Sequence, residues 1–133
     1  MGIRTDLEKE FDFEIVDDFV EHFEFMVYAM ESIIISLEDV KQYEVNVNEL
    51  FRIFHNIKSA SAFLNIKFLN RLSFLAEDLL SDLRNQEKLE NSSVIEWLLK
   101  VSDQLHIWKD NLVNDTELAK FDSTLLFIPD IGI

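Results

Sequence analysis

The feature that most constrains this chain is the lack of glycine and proline along almost its whole length. The two glycines are Gly2 and Gly132 and the single proline is Pro129, so between residues 3 and 128 no backbone chemistry interrupts a helix. Apolar residues make up 48% of the 133 positions, enough to fill one helical core. The sequence therefore predicts a single all-α domain.

Four long segments repeat apolar residues at steps of three and four, which is typical of amphipathic helices. We predict helices at about residues 14–40, 46–64, 66–88 and 94–112, with short extra helices near residues 5–11 and 116–121. The stripe of the first long helix is predicted to comprise Ile15, Phe19, Phe23, Met26, Met30, Ile33 and Leu37. Short loops between such helices favour an antiparallel up-down four-helix bundle, with a core at about residues 14–113 and an unassigned tail at 114–133.

Polar residues at the segment ends predict where these helices begin and end. Asn46 or Asn48 is expected to cap the second long helix, and the polar run at residues 91–93 to cap the fourth. Asn65 suits a helix C-terminus because asparagine tolerates the left-handed conformation. Both tryptophans, Trp97 and Trp108, are expected in the core or in a groove.

Composition also excludes several functions. A phosphate-binding loop needs glycines that this chain lacks, so neither a P-loop nor a dinucleotide site is predicted. The net charge of −14 argues against binding to nucleic acid or to an anionic membrane. There is no cysteine, and the acidic N-terminus does not resemble a signal peptide. A cytoplasmic protein is the default expectation.

Charge is distributed unevenly around one histidine. The chain has 26 acidic residues, yet none lies between Leu50 and Ala76. The cationic residues of that window are Arg52, Lys58, Lys67 and Arg71, and it also contains His55. Such a locally basic hairpin suits a phosphoryl group or the acidic pocket of a partner. Chance clustering of surface lysines is the alternative at this point.

His55 is expected to be exposed and approachable. At 100° per residue it falls well away from the apolar side of its helix, which is centred on Leu50, Ile53, Phe54, Ile57, Ser61 and Leu64. Small residues follow it, with Ser59 one turn on and Ala62 two turns on. They leave a shallow place beside the imidazole for a partner's active site.

The segment at residues 50–65, LFRIFHNIKSASAFLN, resembles the motif of histidine phosphotransfer (HPt) domains. In that motif His-x-x-Lys-Gly precedes a run of small residues and a later glycine. His55 and Lys58 match the motif. Ser59 stands in place of the first glycine and Asn65 in place of the second. Within the family it is most similar to CheA-type chemotaxis kinases, which carry a glutamate 22 residues after the histidine. Glu77 occupies that position.

The resemblance implies a role for each of these residues. His55 would be phosphorylated on Nε2, Glu77 would orient it through Nδ1, and Lys58 would neutralise phosphoryl oxygens. CheA-type domains often carry a second histidine three residues before the glutamate, where this chain has Phe74. The docking face is expected to comprise Phe51, Arg52, Ser59, Ala62 and Phe74.

The family further implies partners instead of cofactors. The phosphoryl group would come from a histidine kinase catalytic domain, which would supply ATP and Mg²⁺, or from a phospho-receiver domain. The receiver domain of a response regulator would accept it on aspartate. The chain itself would be a phosphocarrier, not an enzyme, and the sequence leaves open its oligomeric state and whether it is a piece of a histidine kinase. The alternative is a non-phosphorylated interaction module that binds or inhibits a kinase or receiver domain, which the departures at Ser59 and Phe74 favour.

A metal-dependent bundle enzyme is not predicted. Such bundles pair a histidine with a glutamate three residues earlier on a helix. The positions three residues before His22, His55 and His106 are occupied by other residue types. His22 and His106 are therefore expected to be structural or surface residues, and no metal site is predicted.

Overall fold

A computed structural model describes residues 2–132, and its regular structure is entirely helical. Helix α1 is short and precedes four long helices. The five α-helices are α1 (Ile3–Glu8), α2 (Phe13–Ile35), α3 (Tyr43–Phe63), α4 (Lys67–Leu83) and α5 (Ser93–Asn114). Single 3₁₀ turns lie at Ser36–Glu38, Val40–Gln42 and Ser123–Leu126. No helix in the described part of the chain is long and apolar enough to cross a membrane.

The four long helices pack in a ring. Each helix from α2 to α4 contacts the next one along the chain, and α5 closes the ring against α2. The short connections make neighbouring helices antiparallel. The predicted four-helix bundle is confirmed, and the helix pair α3–α4 forms its most extensive contact.

The apolar stripe of α2 is rotated from its predicted position. Val16, Val20 and Val27 are buried with Phe23 and Met30, whereas Ile15 is 40% exposed. The prediction that Ile15 faces the core is therefore wrong. The three valines share one side of α2 with Phe23 and Met30, and burial of that side turns Ile15 toward solvent.

Several predicted helix ends are wrong, because tertiary contacts decide them. Helix α3 begins at Tyr43, so Asn46 and Asn48 lie inside it and do not cap its N-terminus; the Asn46 amide instead donates to the carbonyl of Ser36 at the end of α2, at 3.3 Å. The Tyr43 side chain is buried and donates a 3.0 Å hydrogen bond to the carbonyl oxygen of Leu83, which fixes the first turn against the end of α4. Helix α4 ends at Leu83, five residues before its predicted end.

The connection between α3 and α4 confirms the expectation for Asn65. Asn65 has a φ of 59°, in the left-handed region. The backbone N–H of Ile66 donates to the carbonyl of Ser61 at 2.9 Å, and that of Asn65 to the carbonyl of Ala62 at 3.2 Å. These two bonds form a Schellman motif, which ends α3 sharply and turns α4 back along it.

The tail packs onto the bundle. The predicted helix near residues 116–121 does not form, because side chains of α5 bind the backbone there. The Ala119 N–H donates to Oδ1 of Asn111 at 2.8 Å, and the Trp108 indole N–H donates to the Ala119 carbonyl at 2.9 Å. Further on, Leu125 is fully buried and its carbonyl accepts the Trp97 indole N–H at 2.9 Å. Both tryptophans are core residues that also fasten the tail.

The start of the chain is tied to the end of α5. Oδ1 of Asp115 accepts hydrogen bonds from the backbone N–H groups of Gly2 at 3.1 Å and Thr5 at 2.9 Å, and its other oxygen accepts the Thr5 hydroxyl. A carboxylate at this place also complements the positive end of the α1 dipole. Asp115 thus caps the first turn of α1 from a position 113 residues after Gly2.

Candidate functional site

His55 lies on the outer side of α3 and faces Glu77 on α4. Its side chain is 53% exposed, as its helical position predicts. The imidazole Nδ1 lies 3.1 Å from Oε2 of Glu77. A carboxylate can only accept, so Nδ1 carries a proton, and in the neutral imidazole Nε2 keeps its lone pair. Nε2 has no hydrogen-bond partner among the described residues.

Glu77 binds two partners at once. Its side chain is 15% exposed, and its second oxygen, Oε1, accepts a 2.9 Å hydrogen bond from Nζ of Lys58. Burial by itself would raise the pKa of Glu77, but the hydrogen bonds and charges of Lys58 and His55 outweigh burial and lower it. Glu77 is therefore a fixed anion beneath the imidazole.

Lys58 lies one turn after His55 and is only 29% exposed. Its ammonium is 5.9 Å from the centre of the Phe74 ring as well as bonded to Glu77. Phe74 occupies the place at which CheA-type domains often carry a second histidine. Here that place supplies an aromatic face to the lysine instead of a further proton-carrying group.

Two hydrogen bonds hold the backbone of α3 next to the site. The carbonyl of Lys58 accepts from the Asn70 amide at 2.9 Å and from the Ser61 hydroxyl at 3.0 Å. The first bond links α3 to α4, and together with the turn at Asn65 it fixes how far α4 is shifted along α3. Asn70 therefore helps to set Glu77 opposite His55, a role that the sequence did not reveal.

Phe51 contacts the imidazole from one turn earlier on α3. The two rings are nearly parallel, at 7°, with centres 6.2 Å apart. The guanidinium carbon of Arg84 lies 4.2 Å from the centre of the Phe51 ring, and Nε of Arg84 donates to Oδ1 of Asn48 at 3.0 Å. Sequence reasoning missed Arg84, although its place two helical turns after Glu77 puts both residues on one side of α4.

The other residues expected to dock partners have different surroundings. Ser59 and Ala62 are exposed, and Phe74 is 52% exposed. Arg52 is exposed too, but its guanidinium is paired with Glu49 on the same helix. The structure therefore brings His55, Lys58, Glu77 and Phe51 together, and it leaves Arg52 in a separate ion pair.

The remaining histidines lie away from this arrangement. His22 is exposed beside an apolar groove of about 390 Å³ between α2 and α3, and His106 packs edge-on against Tyr28 with ring centres 6.0 Å apart. Within residues 2–132, no group of three or more histidine or acidic side chains is placed to hold a metal ion.

A four-helix bundle with an exposed imidazole whose inner nitrogen donates to a carboxylate has the architecture of a histidine phosphotransfer module of two-component signalling. Comparison with known proteins agrees with this class. The family model described as Hpt domain matches residues 14–114, about the span predicted for the bundle core. The chain belongs to the Hpt domain family.

Two curated relatives are a chemotaxis protein and a sensor histidine kinase. The chain is 31% identical over 98 residues to the chemotaxis protein CheA of Borreliella burgdorferi, a match that covers 74% of this chain and 11% of that protein. It is 32% identical over 91 residues to the sensor histidine kinase CheAY of Helicobacter pylori, covering 68% of this chain and 11% of the kinase. The matched segment thus spans about a tenth of each relative. No solved structure matches the chain. The predicted resemblance to CheA-type HPt domains is confirmed.

Proposed function

We propose that this chain is a phosphocarrier, in which Nε2 of His55 accepts a phosphoryl group from a histidine kinase and passes it to an aspartate of a response regulator. The observation that carries the proposal is the 3.1 Å contact between Nδ1 of His55 and Oε2 of Glu77. In the neutral imidazole it leaves the outer nitrogen unprotonated on an exposed ring, which is what a nucleophile for phosphorus requires.

The reaction follows from that protonation state. The Nε2 lone pair attacks the γ-phosphorus of ATP held by the kinase, the N–P bond forms, and the bond from phosphorus to the β–γ bridging oxygen breaks to release ADP. The ring becomes positively charged and keeps its proton on Nδ1, where Glu77 stabilises it. In the second step an aspartate oxygen of the receiver attacks phosphorus, the N–P bond breaks, and the neutral imidazole returns.

Lys58 is the cation available to the transferred group. It lies one turn from His55 and can neutralise phosphoryl oxygens, while Glu77 keeps it close when no phosphoryl group is present. The transition state for phosphoryl transfer needs more cationic clamps than this site offers. The kinase and the receiver would supply Mg²⁺, and the kinase would supply ATP, in keeping with a chain that lacks a glycine-rich phosphate loop.

The surface around His55 suits the docking of a kinase catalytic domain or a receiver domain, each of which supplies its own catalytic groups. Ser59 and Ala62 are small and exposed, so a partner's reacting group can come close to Nε2. Phe74 offers an exposed apolar face on the adjacent helix. We assign these three residues to docking of the kinase catalytic domain and the receiver domain, in a cytoplasmic phosphorelay.

The test is phosphorylation by the catalytic domain of a CheA-type kinase with labelled ATP and Mg²⁺. The wild type should acquire an acid-labile, base-stable phosphoryl group, and His55→Gln should acquire none. His22→Gln and His106→Gln are matched controls and should label as the wild type does. Loss of the label on addition of a receiver domain would then identify the second step.

Two results would overturn the proposal. Label that survives in His55→Gln would place the phosphoryl group on another residue. No label with any kinase of the source organism, in a protein that nevertheless binds a kinase or receiver domain, would identify a non-phosphorylated interaction module.

A further inference from the structure

A second surface feature lies at the junction of α4 and the tail, on residues to which the proposed phosphotransfer gives no role. It is an open cleft of about 480 Å³, lined by Phe68, Arg71, Lys120, Phe121, Ser123 and Leu126. We refer to it as the tail cleft. Its wall combines aromatic and aliphatic side chains with two cations, and it contains no carboxylate.

The floor of the tail cleft is firmly supported. The Phe121 ring packs against Phe68 on one side, at 6.0 Å between ring centres, and against the fully buried Trp108, at 6.1 Å. Trp108 in turn holds the tail through its bond to the Ala119 carbonyl. Phe68 is 53% exposed and Leu126 is 45% exposed, so the cleft presents apolar surface to solvent on a rigid base.

The two cations of the tail cleft have no ion-pair partner among the described residues, although the chain carries 26 acidic residues. Asp122, the nearest carboxylate along the chain, instead accepts hydrogen bonds from the Thr124 N–H at 3.0 Å and the Thr124 hydroxyl at 2.6 Å. Unpaired cations beside apolar surface are complementary to an acidic ligand with an apolar side chain.

The helix dipole does not explain the positive charges of Lys67 and Arg71 near the N-terminus of α4. Helix α4 starts at Lys67, has no acidic residue in its first turn and places Arg71 one turn later. Cations near a helix N-terminus oppose the helix dipole, whereas carboxylates there would stabilise the helix. Arg71 is therefore better explained by what it binds than by the stability of α4.

We infer that the tail cleft binds an acidic segment of a protein partner that inserts one apolar side chain between Phe68 and Leu126. Carboxylates of that segment pair with Arg71 and Lys120, and the guanidinium suits a carboxylate especially well because it can donate two parallel hydrogen bonds. Nucleic acid and anionic lipid are disfavoured as occupants, since the net charge of −14 repels an extended anionic surface.

The identity of the partner rests on the proposed function. Arg71 precedes Glu77 by six residues on the same helix, a rise of about 9 Å along the axis. Six residues also turn about 240° around the helix, so a kinase or receiver domain seated on His55 would reach the tail cleft with an acidic segment that extends around α4. The cleft would then raise the affinity for that partner without taking part in the chemistry.

The first experiment tests the cleft without phosphotransfer. An acetylated peptide Glu-Asp-Phe-Asp-Glu-Leu is titrated into the ¹⁵N-labelled full chain, and amide shifts are followed by NMR. Saturable shifts should concentrate at Phe68, Arg71 and residues 120–126. A double variant, Arg71→Glu with Lys120→Glu, should weaken binding at least tenfold. The double variant Lys41→Glu with Lys88→Glu makes the same change in net charge at two lysines elsewhere that have no ion-pair partner among the described residues, and it should bind as the wild type does.

Other outcomes would overturn the inference. These are no saturable shifts, shifts centred outside the cleft, or equal binding by a peptide in which the acidic residues are replaced by glutamine. Binding of a single-stranded oligonucleotide or of phosphatidylserine vesicles in place of the peptide would overturn it too. Circular dichroism of both double variants establishes that they are folded.

The second experiment connects the cleft with the partner. With a kinase that labels His55, Arg71→Glu with Lys120→Glu should raise the KM for this chain about tenfold and leave kcat within twofold, while the lysine control changes neither. Normal labelling with an unchanged KM would reject the cleft as part of that interface and leave the proposed phosphotransfer intact. Absence of labelling in the wild type would reject the phosphotransfer and leave the peptide result to stand by itself.

Discussion

Oε2 of Glu77 lies 3.1 Å from Nδ1 of His55, across the contact between α3 and α4, and the two residues are 22 positions apart in the chain. The same carboxylate holds Lys58 through its other oxygen at 2.9 Å. One acidic side chain therefore determines which nitrogen of the neutral imidazole carries the proton, and it also holds the ammonium of Lys58 close to the ring. Its removal should affect reactivity more than stability.

Replacing Glu77 should slow phosphorylation of His55. Hydrogen bonds to charged groups contribute about 1.5–3 kcal/mol, so Glu77→Ala should lower the rate roughly 10- to 100-fold. Glu77→Gln keeps a hydrogen-bond acceptor but loses the charge, so its phosphorylation rate should lie between those of Glu77→Ala and the wild type. Initial rates of labelling by a kinase measure this. Asp78→Asn is the neighbouring control, and a change below twofold in Glu77→Ala would contradict the assigned role.

Arg84 should stabilise the fold through Phe51. A cation over an aromatic ring at an exposed site contributes about 0.5–1 kcal/mol, so Arg84→Ala should lower the free energy of unfolding by about that amount. Urea denaturation measures the change. Arg71→Ala removes an arginine of α4 that has no ion-pair partner in the described part of the chain, and it should have almost no effect. Equal effects of the two variants would show that the Arg84 contact is unimportant.

Acid should release α1 from α5. Hydrogen bonds from the Thr5 side chain and backbone lower the pKa of Asp115 from 3.8 to about 2. A carboxyl group whose pKa is lower in the folded state stabilises that state above its unfolded pKa and loses the contribution as pH falls through the folded pKa. The attachment of α1 should therefore weaken between pH 3.8 and about 2.

NMR of the Gly2 and Thr5 amides follows this release directly. Asp115→Asn should abolish the pH dependence of these amides over that range. The pKa of Glu77 is also lowered, so protonation of Glu77 in acid should weaken its contact with His55 as well. The signals of Gly2 and Thr5 separate the two events, and amides that do not respond to acid would contradict the role of Asp115.

The tail should contribute to stability through one side chain. Leu125 is fully buried, so Leu125→Ala should lower the free energy of unfolding by about 2–5 kcal/mol. Leu126 is 45% exposed, and Leu126→Ala should change stability by only about 0.5 kcal/mol. Thermal or urea unfolding compares the pair. Similar values for both variants would mean that the tail does not pack as part of the core.

The sequence was sufficient for the elements whose signals are local. The lack of glycine and proline and the apolar periodicity predicted four long helices, because helix formation depends on residues three and four positions apart. The exposed position of His55 followed from the same geometry. Glu77 was found through its spacing in the HPt motif, and the left-handed conformation at Asn65 from the tolerance of asparagine for it.

The tertiary structure decided the features that depend on distant contacts. Helix α3 starts at Tyr43 because that side chain is buried against the end of α4, 40 residues away. The first turn of α1 is capped by Asp115, which lies 113 positions after Gly2. The tail forms no helix near residues 116–121 because Asn111 and Trp108 take up its backbone groups. At a helix end, a hydrogen bond or a buried ring from a distant residue contributes more stability than the small differences in helix propensity between local residues. The sequence alone therefore could not locate these ends.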